Sequence, residues 1–132
     1  MPFPVDIAFI NAAEKRLSVK FPPSFVVRMV ECNGGGVETE TDNWQLYPFQ
    51  DTSDRKRLSR TCNDIVRETI LCRSQPGFPP EAVAIGANGG GDHLVFLPQP
   101  DASHLLGHAV WWWDHETDEL IRVAEDFAEL GQ

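Results

Sequence analysis

Apolar residues in the first part of the chain recur at the spacing of an amphipathic helix. Ile7, Ile10, Ala13 and Leu17 lie three or four positions apart, and Asp6 stands before them as a candidate N-cap. The pattern predicts a first helix that packs one face against the core.

A second apolar stripe begins after the chain is interrupted by Phe21-Pro22-Pro23. Pro23 suits the first turn of a helix, because a proline there loses no intrahelical hydrogen bond. Asn33 and Gly34 predict the end of this helix. Its buried stripe is expected to consist of Phe25, Val26, Met29 and Val30.

Residues 51–60 are strongly charged, and we expect a linker there. Thr61 and Asp64 then have the spacing of a capping box, which predicts the start of a third helix, and Gln75-Pro76-Gly77 ends it. The apolar stripe of this helix comprises Ile65, Val66, Thr69, Ile70 and Cys72. The linker's basic residues indicate a solvated loop and helix entry or, as the alternative, an anion-binding segment; they are Arg55, Lys56, Arg57 and Arg60.

Between the second and third helices the pattern becomes that of β-structure. Residues 37–42 form a polar, hairpin-like stretch, and Trp44, Leu46 and Phe49 indicate a strand after it. If residues 37–42 are themselves a strand, their alternating carboxylates share one face. Like charges on an exposed face must be solvated or met by cations, which makes this face a candidate interaction surface. The carboxylates are those of Glu38, Glu40 and Asp42.

The last third has the pattern of an antiparallel meander of short strands bounded by turns. Asp126 can cap a terminal helical turn that presents Phe127 and Leu130 to the core. We therefore predict an α+β fold: a single domain over residues 1–132, with a mainly antiparallel twisted sheet and helices packed on one side. The meander's strands are expected at residues 82–85, 93–97, 109–113 and 120–124.

The segment from Ile85 to Asp92 reads Ile-Gly-Ala-Asn-Gly-Gly-Gly-Asp and separates two of these strands. Glycines accept positive φ values and Asn88 tolerates them next best, so the segment predicts a hairpin turn. A phosphate-binding loop is the alternative. Such loops lead from a strand into a helix and carry a Gly-Lys-Ser/Thr motif, whereas here a strand follows and the motif is missing.

Trp111, Trp112 and Trp113 fall in one predicted strand, whose successive side chains point to opposite faces. They cannot all enter the core. Either Trp112 or the other two point away from the helix-covered side, where a partly exposed indole beside acidic residues suits an interface anchor. The alternative is that Trp44 or a terminal segment covers the exposed ring.

Charge is distributed unevenly along the chain. Residues 1–73 hold ten acidic and ten basic side chains. The whole net charge of −9 therefore lies in residues 74–132, which contain ten acidic side chains and one basic side chain, Arg122. Phosphate binding depends on lysine and arginine releasing counterions, so an acidic half disfavours nucleic acid. It predicts a basic protein partner, although solubility alone also accounts for it.

The sequence carries no sign of a membrane segment or of an oxidising compartment. Residues 1–9 lack the pattern of a leader peptide, and no window reaches the roughly 18 apolar residues of a membrane span. Cys32, Cys62 and Cys72 are odd in number and form no CxxC pair, which indicates neither a disulfide framework nor a zinc site. We expect a cytoplasmic protein that does not bind a membrane.

Two Asp-His pairs, Asp92-His93 and Asp114-His115, would offer ligands to a divalent metal if the fold brought them together. His104 and His108 have helical spacing but lie in an expected loop with Gly107. The sequence alone does not show that the two pairs lie close together in the fold, so we predict no metal and no cofactor.

Nucleophilic catalysis would require a serine or cysteine on a sharp turn with an orienting histidine, and no such elbow occurs. Cys62 and Cys72 fall on the predicted third helix, where burial is the default. The serines lie in polar, loop-like contexts, at Ser53, Ser59, Ser74 and Ser103. We therefore expect a protein that is not an enzyme, with a small metal-dependent hydrolase as the remote alternative.

The order and spacing of several motifs resemble the SUKH superfamily over nearly the whole chain. This superfamily includes bacterial immunity proteins and fungal Smi/Knr-type regulators of cell-wall synthesis. The motifs are Glu14 with Leu17, Phe21-Pro22-Pro23, Asn33-Gly34-Gly35, Ile85-Gly86, Gly91-Asp92, Trp113-Asp114-His115 and Val123-Ala124 with Phe127.

This resemblance implies an α+β domain without catalytic residues, in which Asp92 caps turn amides. For bacterial members it implies neutralisation of a toxin, often a nuclease, by stoichiometric binding. The acidic half fits that role, since a nuclease is basic where it holds phosphate. The alternative is a regulatory or scaffolding domain for an endogenous partner. The residues expected to contact a partner are Glu38, Glu40, Asp42, Trp44, Trp112, Asp114, Glu116 and Asp118.

Overall fold

A computed structural model describes residues 2–131. Within that range the chain forms four α-helices and one 3-10 helix. The helices are α1 (Ile7–Leu17), α2 (Pro23–Glu31), α3 (Arg55–Arg60), α4 (Ile65–Arg73) and the 3-10 helix Phe127–Glu129.

Six strands form one antiparallel sheet in the order β1-β2-β3-β4-β7-β8, and β5 and β6 form a separate two-stranded sheet. Their bounds are β1 (Gly35–Glu38), β2 (Asn43–Leu46), β3 (Val83–Ala87), β4 (His93–Phe96), β5 (Pro98–Gln99), β6 (Ala102–Leu106), β7 (Val110–Trp113) and β8 (Leu120–Ala124).

The expected α+β class with an antiparallel sheet is confirmed. Because β1-β2, β3-β4 and β7-β8 are hairpins between antiparallel neighbours, their three turns lie at the same end of the sheet. All four residues of β4 are buried, because α4 covers the His93 side and Phe25 of α2 contacts Phe96 on the other. Helices thus cover more of this strand than the one-sided packing expected from sequence.

The aromatic core is centred on Phe25, which is fully buried. Its ring lies 4.9 Å from that of Phe127 and 5.2 Å from that of Phe96, in edge-to-face geometry. Phe21 and Phe49 complete the cluster. This packing joins α2, β4 and the 3-10 helix, and it confirms that Phe127 and Leu130 face the core.

A buried polar chain lies on the other side of β4. The Nδ1 atom of His93 is 3.1 Å from the hydroxyl of Tyr47, and its Nε2 atom is 3.5 Å from Sγ of Cys72 in α4. The ring of Trp113 stacks against His93, and that of Phe78 packs edge-on against it. Both ring nitrogens of His93 therefore have a hydrogen-bond partner inside the core.

The glycine-rich segment is a hairpin turn between β3 and β4, as predicted. Gly89 and Gly91 adopt φ values of 83° and 103°, which only glycine reaches without strain. Gly86 has a different role: a Cβ atom there would lie 2.9 Å from the carbonyl oxygen of Gln45. Gly86 therefore allows β2 to approach β3 closely.

The first helix and the terminal turn form as the sequence predicts. Asp6 caps α1 by accepting a hydrogen bond from the Ala8 amide, and Asp126 caps the 3-10 helix through the Ala128 amide. α2 starts at Pro23 but ends at Glu31, two residues before Asn33. The Asn33 side chain is then free to bond both the amide and the carbonyl of Phe49.

Several local predictions are wrong, and three of them concern α3, Ile70 and His104. The charged linker contains α3, because Asp54 caps it by accepting a hydrogen bond from the Arg57 amide. Ile70 does not belong to the buried stripe of α4 and is 58% exposed. His104 lies in strand β6 rather than in a loop, since β6 pairs with the short strand β5.

The close approach at Gly86 makes a direct stability test possible. Gly86→Ala should lower the free energy of unfolding by about 1–3 kcal/mol, because the added methyl group meets backbone rather than a movable side chain. Urea unfolding, with both variants compared at a common m-value, measures the loss. Gly90→Ala is the matched control, since the nearest atom there is a side-chain oxygen 3.5 Å away. Equal losses at both positions would contradict this role of Gly86.

Burial lowers the pKa of His93 below its ordinary value of 6.5. The unfolded chain therefore takes up this proton more readily than the folded one, and the contribution of His93 to stability is lost as the pH falls below 6.5. Ring-proton NMR should place the titration midpoint of His93 below 6.5. A midpoint above that value would show that the ring is not held neutral in the core.

Candidate functional site

The three hairpin turns at one end of the sheet form an acidic surface, which we call the turn surface. It comprises residues 38–42, 88–92 and 114–119, and these segments contain no lysine or arginine. Strand order brings them together although they are far apart in sequence. Its acidic residues are Glu38, Glu40, Asp42, Asp92, Asp114, Glu116, Asp118 and Glu119.

Asp92, at the end of the glycine-rich turn, connects two of these hairpins. Its Oδ1 atom accepts hydrogen bonds from the backbone amide of His115 at 3.0 Å and from Nδ1 of the same residue at 2.5 Å. Its Oδ2 atom accepts a bond from the indole nitrogen of Trp112 at 3.0 Å. Asp92 thus receives a turn amide, as the resemblance implied, but that amide belongs to the neighbouring hairpin.

Asn88 extends the connection to the third hairpin. Its side-chain nitrogen donates to Oδ2 of Asp42 at 2.8 Å and lies 3.5 Å from Oδ2 of Asp92. Its side-chain oxygen accepts a bond from the Gly90 amide within its own turn. One chain of hydrogen bonds therefore runs across all three turns.

The same contacts set the charge of Asp92 and His115. Burial alone would raise the pKa of Asp92, but the hydrogen bonds from His115 and Trp112 outweigh it and lower that pKa. The hydrogen bond to Asp92 raises the pKa of His115, and the negative charges of Glu116 and Asp114 add to the shift. The turn surface thus holds one titratable cation among its carboxylates.

The three tryptophans of β7 have different environments. Trp113 is buried, whereas Trp111 and Trp112 are half-buried. The ring of Trp112 packs edge-on against Trp44, with centroids 6.2 Å apart, so the predicted cover by Trp44 is present in part. Arg122 lies over the ring of Trp111, with its guanidinium 6.0 Å from the centroid.

The structure places the predicted contact residues at three depths. Trp44 is only 2% exposed and lies beneath the surface, where its indole nitrogen donates to the hydroxyl of Thr39. Asp42, Trp112 and Asp114 are half-buried. The remaining four are exposed: Glu38, Glu40, Glu116 and Asp118.

The prediction that residues 37–42 form one acidic strand face is wrong. β1 ends at Glu38, and the Thr39 amide bonds to the Asp42 carbonyl, so Glu40 and Asp42 belong to the turn. They are near Glu38 because the hairpin reverses there, rather than through strand alternation. Asp118 has a φ of 60° and its carboxylate lies directly over Gly77, so part of its role is structural.

The two predicted Asp-His pairs meet only in part. One possible ligand atom from each of Asp92, Asp114 and His115 lies within 4.8 Å of the others. His93 points into the core instead. Asp92 and His115 bond to each other, and Asp114 accepts a hydrogen bond from the Glu116 amide. These bonds account for the cluster without an ion.

Cysteine and histidine meet at Cys72 and His93, but in the core. Cys72 is 2% exposed, and burial, with a smaller contribution from the charge of Glu68, raises the pKa of its thiol to about 12. A thiol that stays protonated and has no access to substrate is a poor nucleophile. Cys62 is exposed, and all three cysteines are free thiols.

The sequence predicted a turn role for Asn88, a turn role or a possible metal-ligand role for Asp92, and a possible metal-ligand role for His115. Their spacing in sequence carries no sign that they bond to one another. Only the strand order of the folded sheet shows that these residues are close, because it places the turns that contain them at one end of the sheet.

Asp92→Asn should lower the titration midpoint of His115 toward 6.5, because the neutral amide removes the negative charge that favours the imidazolium ion. The emission spectrum of Trp112 should change as well, since its indole nitrogen loses a charged acceptor. Ring-proton NMR and fluorescence measure the two effects. Asp101→Asn, at an exposed acid outside the turn surface, is the control and should change neither. An unchanged His115 midpoint in Asp92→Asn would contradict the coupling.

No helix within residues 2–131 has the length and apolar character needed to cross a bilayer. Comparison with individually curated proteins gives no significant match. A family model, described as the SMI1 / KNR4 family (SUKH-1), matches residues 4–130. That match spans nearly the whole chain and includes every element of the fold, so the chain belongs to the SMI1 / KNR4 family (SUKH-1).

Proposed function

We propose that this chain is a non-enzymatic, protein-binding domain whose turn surface binds a basic region of another protein. In its specific form, the proposal is that the chain is an immunity protein, which neutralises a toxin of the nuclease type by stoichiometric binding in the cytoplasm. Membership of the SUKH-1 family is consistent with a toxin-immunity or a regulatory domain.

The observation that carries this proposal is the single acidic surface formed by three separate hairpins. Its exposed carboxylates include Glu40 and Glu116, whose side chains form no hydrogen bond or ion pair with the residues that the structure describes. Carboxylates that repel one another are retained at a cost, and a basic partner would relieve that repulsion. The hydrogen bonds through Asp92 keep the surface in one arrangement before binding.

Electrostatic complementarity of this kind acts mainly on the rate of association. Complementary surfaces steer the encounter and can raise the association rate constant to about 10⁸ M⁻¹s⁻¹ or more at low ionic strength. Affinity then needs apolar anchors near the centre of the interface. The half-buried ring of Trp112 lies among the carboxylates and suits that role.

A regulatory or scaffolding domain for an endogenous protein is the second candidate, because the family includes regulators as well as immunity proteins. The same surface would serve both roles, since only the identity of the partner differs. A toxin gene beside the gene of this chain would favour immunity, whereas a solitary gene would favour regulation.

Reversing two charges should weaken binding of the natural partner, identified by co-purification from the source cell. The double variant Glu40→Lys/Glu116→Lys removes one exposed carboxylate from each of two hairpins. We expect the dissociation constant to rise about tenfold or more at low salt, mainly through slower association, and the difference to shrink as ionic strength increases.

The matched control is Glu81→Lys/Asp101→Lys, which changes the net charge by the same amount at exposed positions outside the turn surface. Surface plasmon resonance at several salt concentrations separates the association and dissociation rates. If both double variants weaken binding equally, net charge rather than this surface is responsible, and the proposal fails.

A further inference from the structure

A cavity lies between the open end of the β1–β2 hairpin, α3 and the segment that leads into α4. It has a volume of about 360 Å³. Gly35 and Leu46, which line it, pair with each other at the end of the hairpin away from the turn surface. The polar side chains of its lining include Gln45, Asp51, Arg57, Arg60 and Asn63. A concave site of this size, lined by a few polar groups, is typical of small-ligand binding.

Phe3 lines the cavity and holds cationic side chains of α3 beside it. The guanidinium carbon of Arg57 lies 4.4 Å from the centre of the Phe3 ring, that of Arg60 lies 5.0 Å away, and Nζ of Lys56 lies 5.7 Å away. Phe3 is itself fixed, because its carbonyl accepts a hydrogen bond from the backbone amide of the buried residue Asn33. These cation–π contacts restrict the basic side chains before any ligand binds.

The positive charge beside Phe3 is only partly neutralised. Arg57 forms ion pairs with Asp54 at 2.7 Å and with the buried Asp51 at 3.8 Å. Arg60 and Lys56 form no ion pair with a carboxylate among residues 2–131. An aromatic ring attracts cations but carries no net charge, so these two side chains keep a positive charge that an anion would neutralise.

Two side-chain amides add hydrogen-bond donors to the same cavity. Gln45 and Asn63 line it, are exposed, and form no side-chain hydrogen bond with the part of the chain that the structure describes. Arg60 contributes a planar fork of N–H donors. The carboxylate of Asp51, by contrast, already accepts two hydrogen bonds within its own loop and faces Arg57. The free groups of the cavity are therefore mainly donors and cations.

These groups suit a phosphate monoester better than a carboxylate. A phosphate monoester carries a charge of about −2 at neutral pH and offers several strong acceptor oxygens, which match a guanidinium, a second cation and two amides. A carboxylate has a single charge and fewer acceptor positions, so it would leave part of this set unused. The less polar lining at Gly34 and Pro48 leaves room for the organic part of an ester.

We propose that this cavity binds a phosphate monoester, with Arg60 bonded to the phosphate, Gln45 and Asn63 bonded to its other oxygens, and Lys56 adding positive charge nearby. The same group occurs in small phosphorylated metabolites and in phosphorylated proteins. This site goes beyond the proposed function and does not depend on it, because it lies at the opposite end of β1 and β2 from the turn surface.

Phenyl phosphate is the first probe, titrated into the ¹⁵N-labelled chain at about 0.15 M salt, where distant surface charges are screened. We expect saturable one-to-one binding with a dissociation constant of about 1 mM or lower. The shifts should lie at residues 34–35, 45 and 60–63. Benzoate, which carries a carboxylate on the same ring, is the matched ligand and should bind about tenfold more weakly or worse.

A short peptide with a central phosphoserine distinguishes the two sources of the ester. Tighter binding of this peptide than of phenyl phosphate would identify a phosphorylated protein as the source, and weaker binding would identify a small phosphorylated molecule. The phosphate group is recognised in either case, so both results support the site.

Three variants test the groups of the cavity. Arg60→Gln should weaken binding of phenyl phosphate about tenfold or more, whereas Arg60→Lys, which keeps the charge but not the fork, should lose less. Asn63→Asp should abolish binding, since it places a carboxylate in the cavity at almost unchanged size. Arg55→Gln is the matched control, at an exposed arginine of the same helix that does not line the cavity. Circular dichroism confirms that each variant is folded.

The proposal is overturned if the shifts do not saturate or map to other basic residues, such as Arg16 and Lys20. Equal affinities for phenyl phosphate and benzoate, or equal losses from Arg60→Gln and Arg55→Gln, would overturn it as well, since general attraction of anions would then suffice.

Independence from the proposed function is tested with the same probe. Glu40→Lys/Glu116→Lys should bind phenyl phosphate as the native chain does, and Arg60→Gln should bind the natural protein partner with unchanged affinity if only the turn surface contacts it. The two proposals therefore fail separately.

Discussion

The carboxylate of Asp92 is the group on which the arrangement of the turn surface depends. It accepts three hydrogen bonds from the β7–β8 hairpin, two from His115 and one from Trp112, and it lies beside Asn88, which bonds to Asp42 of the β1–β2 hairpin. Without these bonds, three turns rich in negative charge would move apart, because like charges repel. Replacing a half-buried carboxylate whose oxygen atoms both accept hydrogen bonds also lowers stability, because the donors lose their acceptor.

This arrangement follows from the order of the strands. The antiparallel strand order places the three hairpin turns at the same end of the sheet, so residues 38–42 and 114–119 lie on either side of the turn at residues 88–92. Phe96, at the other end of β4, packs in the aromatic core around Phe25, whereas His93, which directly follows Asp92, belongs to the buried chain from Tyr47 to Cys72. Rigidity at the turns therefore rests on strands that are packed on both faces.

Much of the fold was predictable because its signals are local. Asp6 and Asp126 cap their helices, Pro23 starts α2, and the glycine-rich turn reverses the chain between β3 and β4. The misses have different causes. α3 forms within a charged segment where no apolar stripe announces it, and Ile70 is exposed although its spacing suits burial, because helix periodicity does not say which neighbour covers a stripe.

The sequence predicted most residues of the candidate site, but it did not predict their arrangement in space. Sequence identified the acids, yet it placed Glu38, Glu40 and Asp42 on one strand face, whereas a turn unites them. Trp44 was a predicted contact residue, but packing against Trp112 buries it. Asn88, Asp92 and His115 meet across strands that are neighbours only in the folded sheet, and pairing of that kind leaves no mark in the spacing of residues.

The central claim is that a partner binds across the three hairpin turns. Its most direct test is amide chemical-shift mapping of the ¹⁵N-labelled chain, free and bound to the partner that co-purifies with it. We expect the largest changes at residues 38–42, 88–92 and 114–119, together with the indole signal of Trp112. Changes confined to α3 and α4, with the turn amides and that indole unaffected, would contradict it.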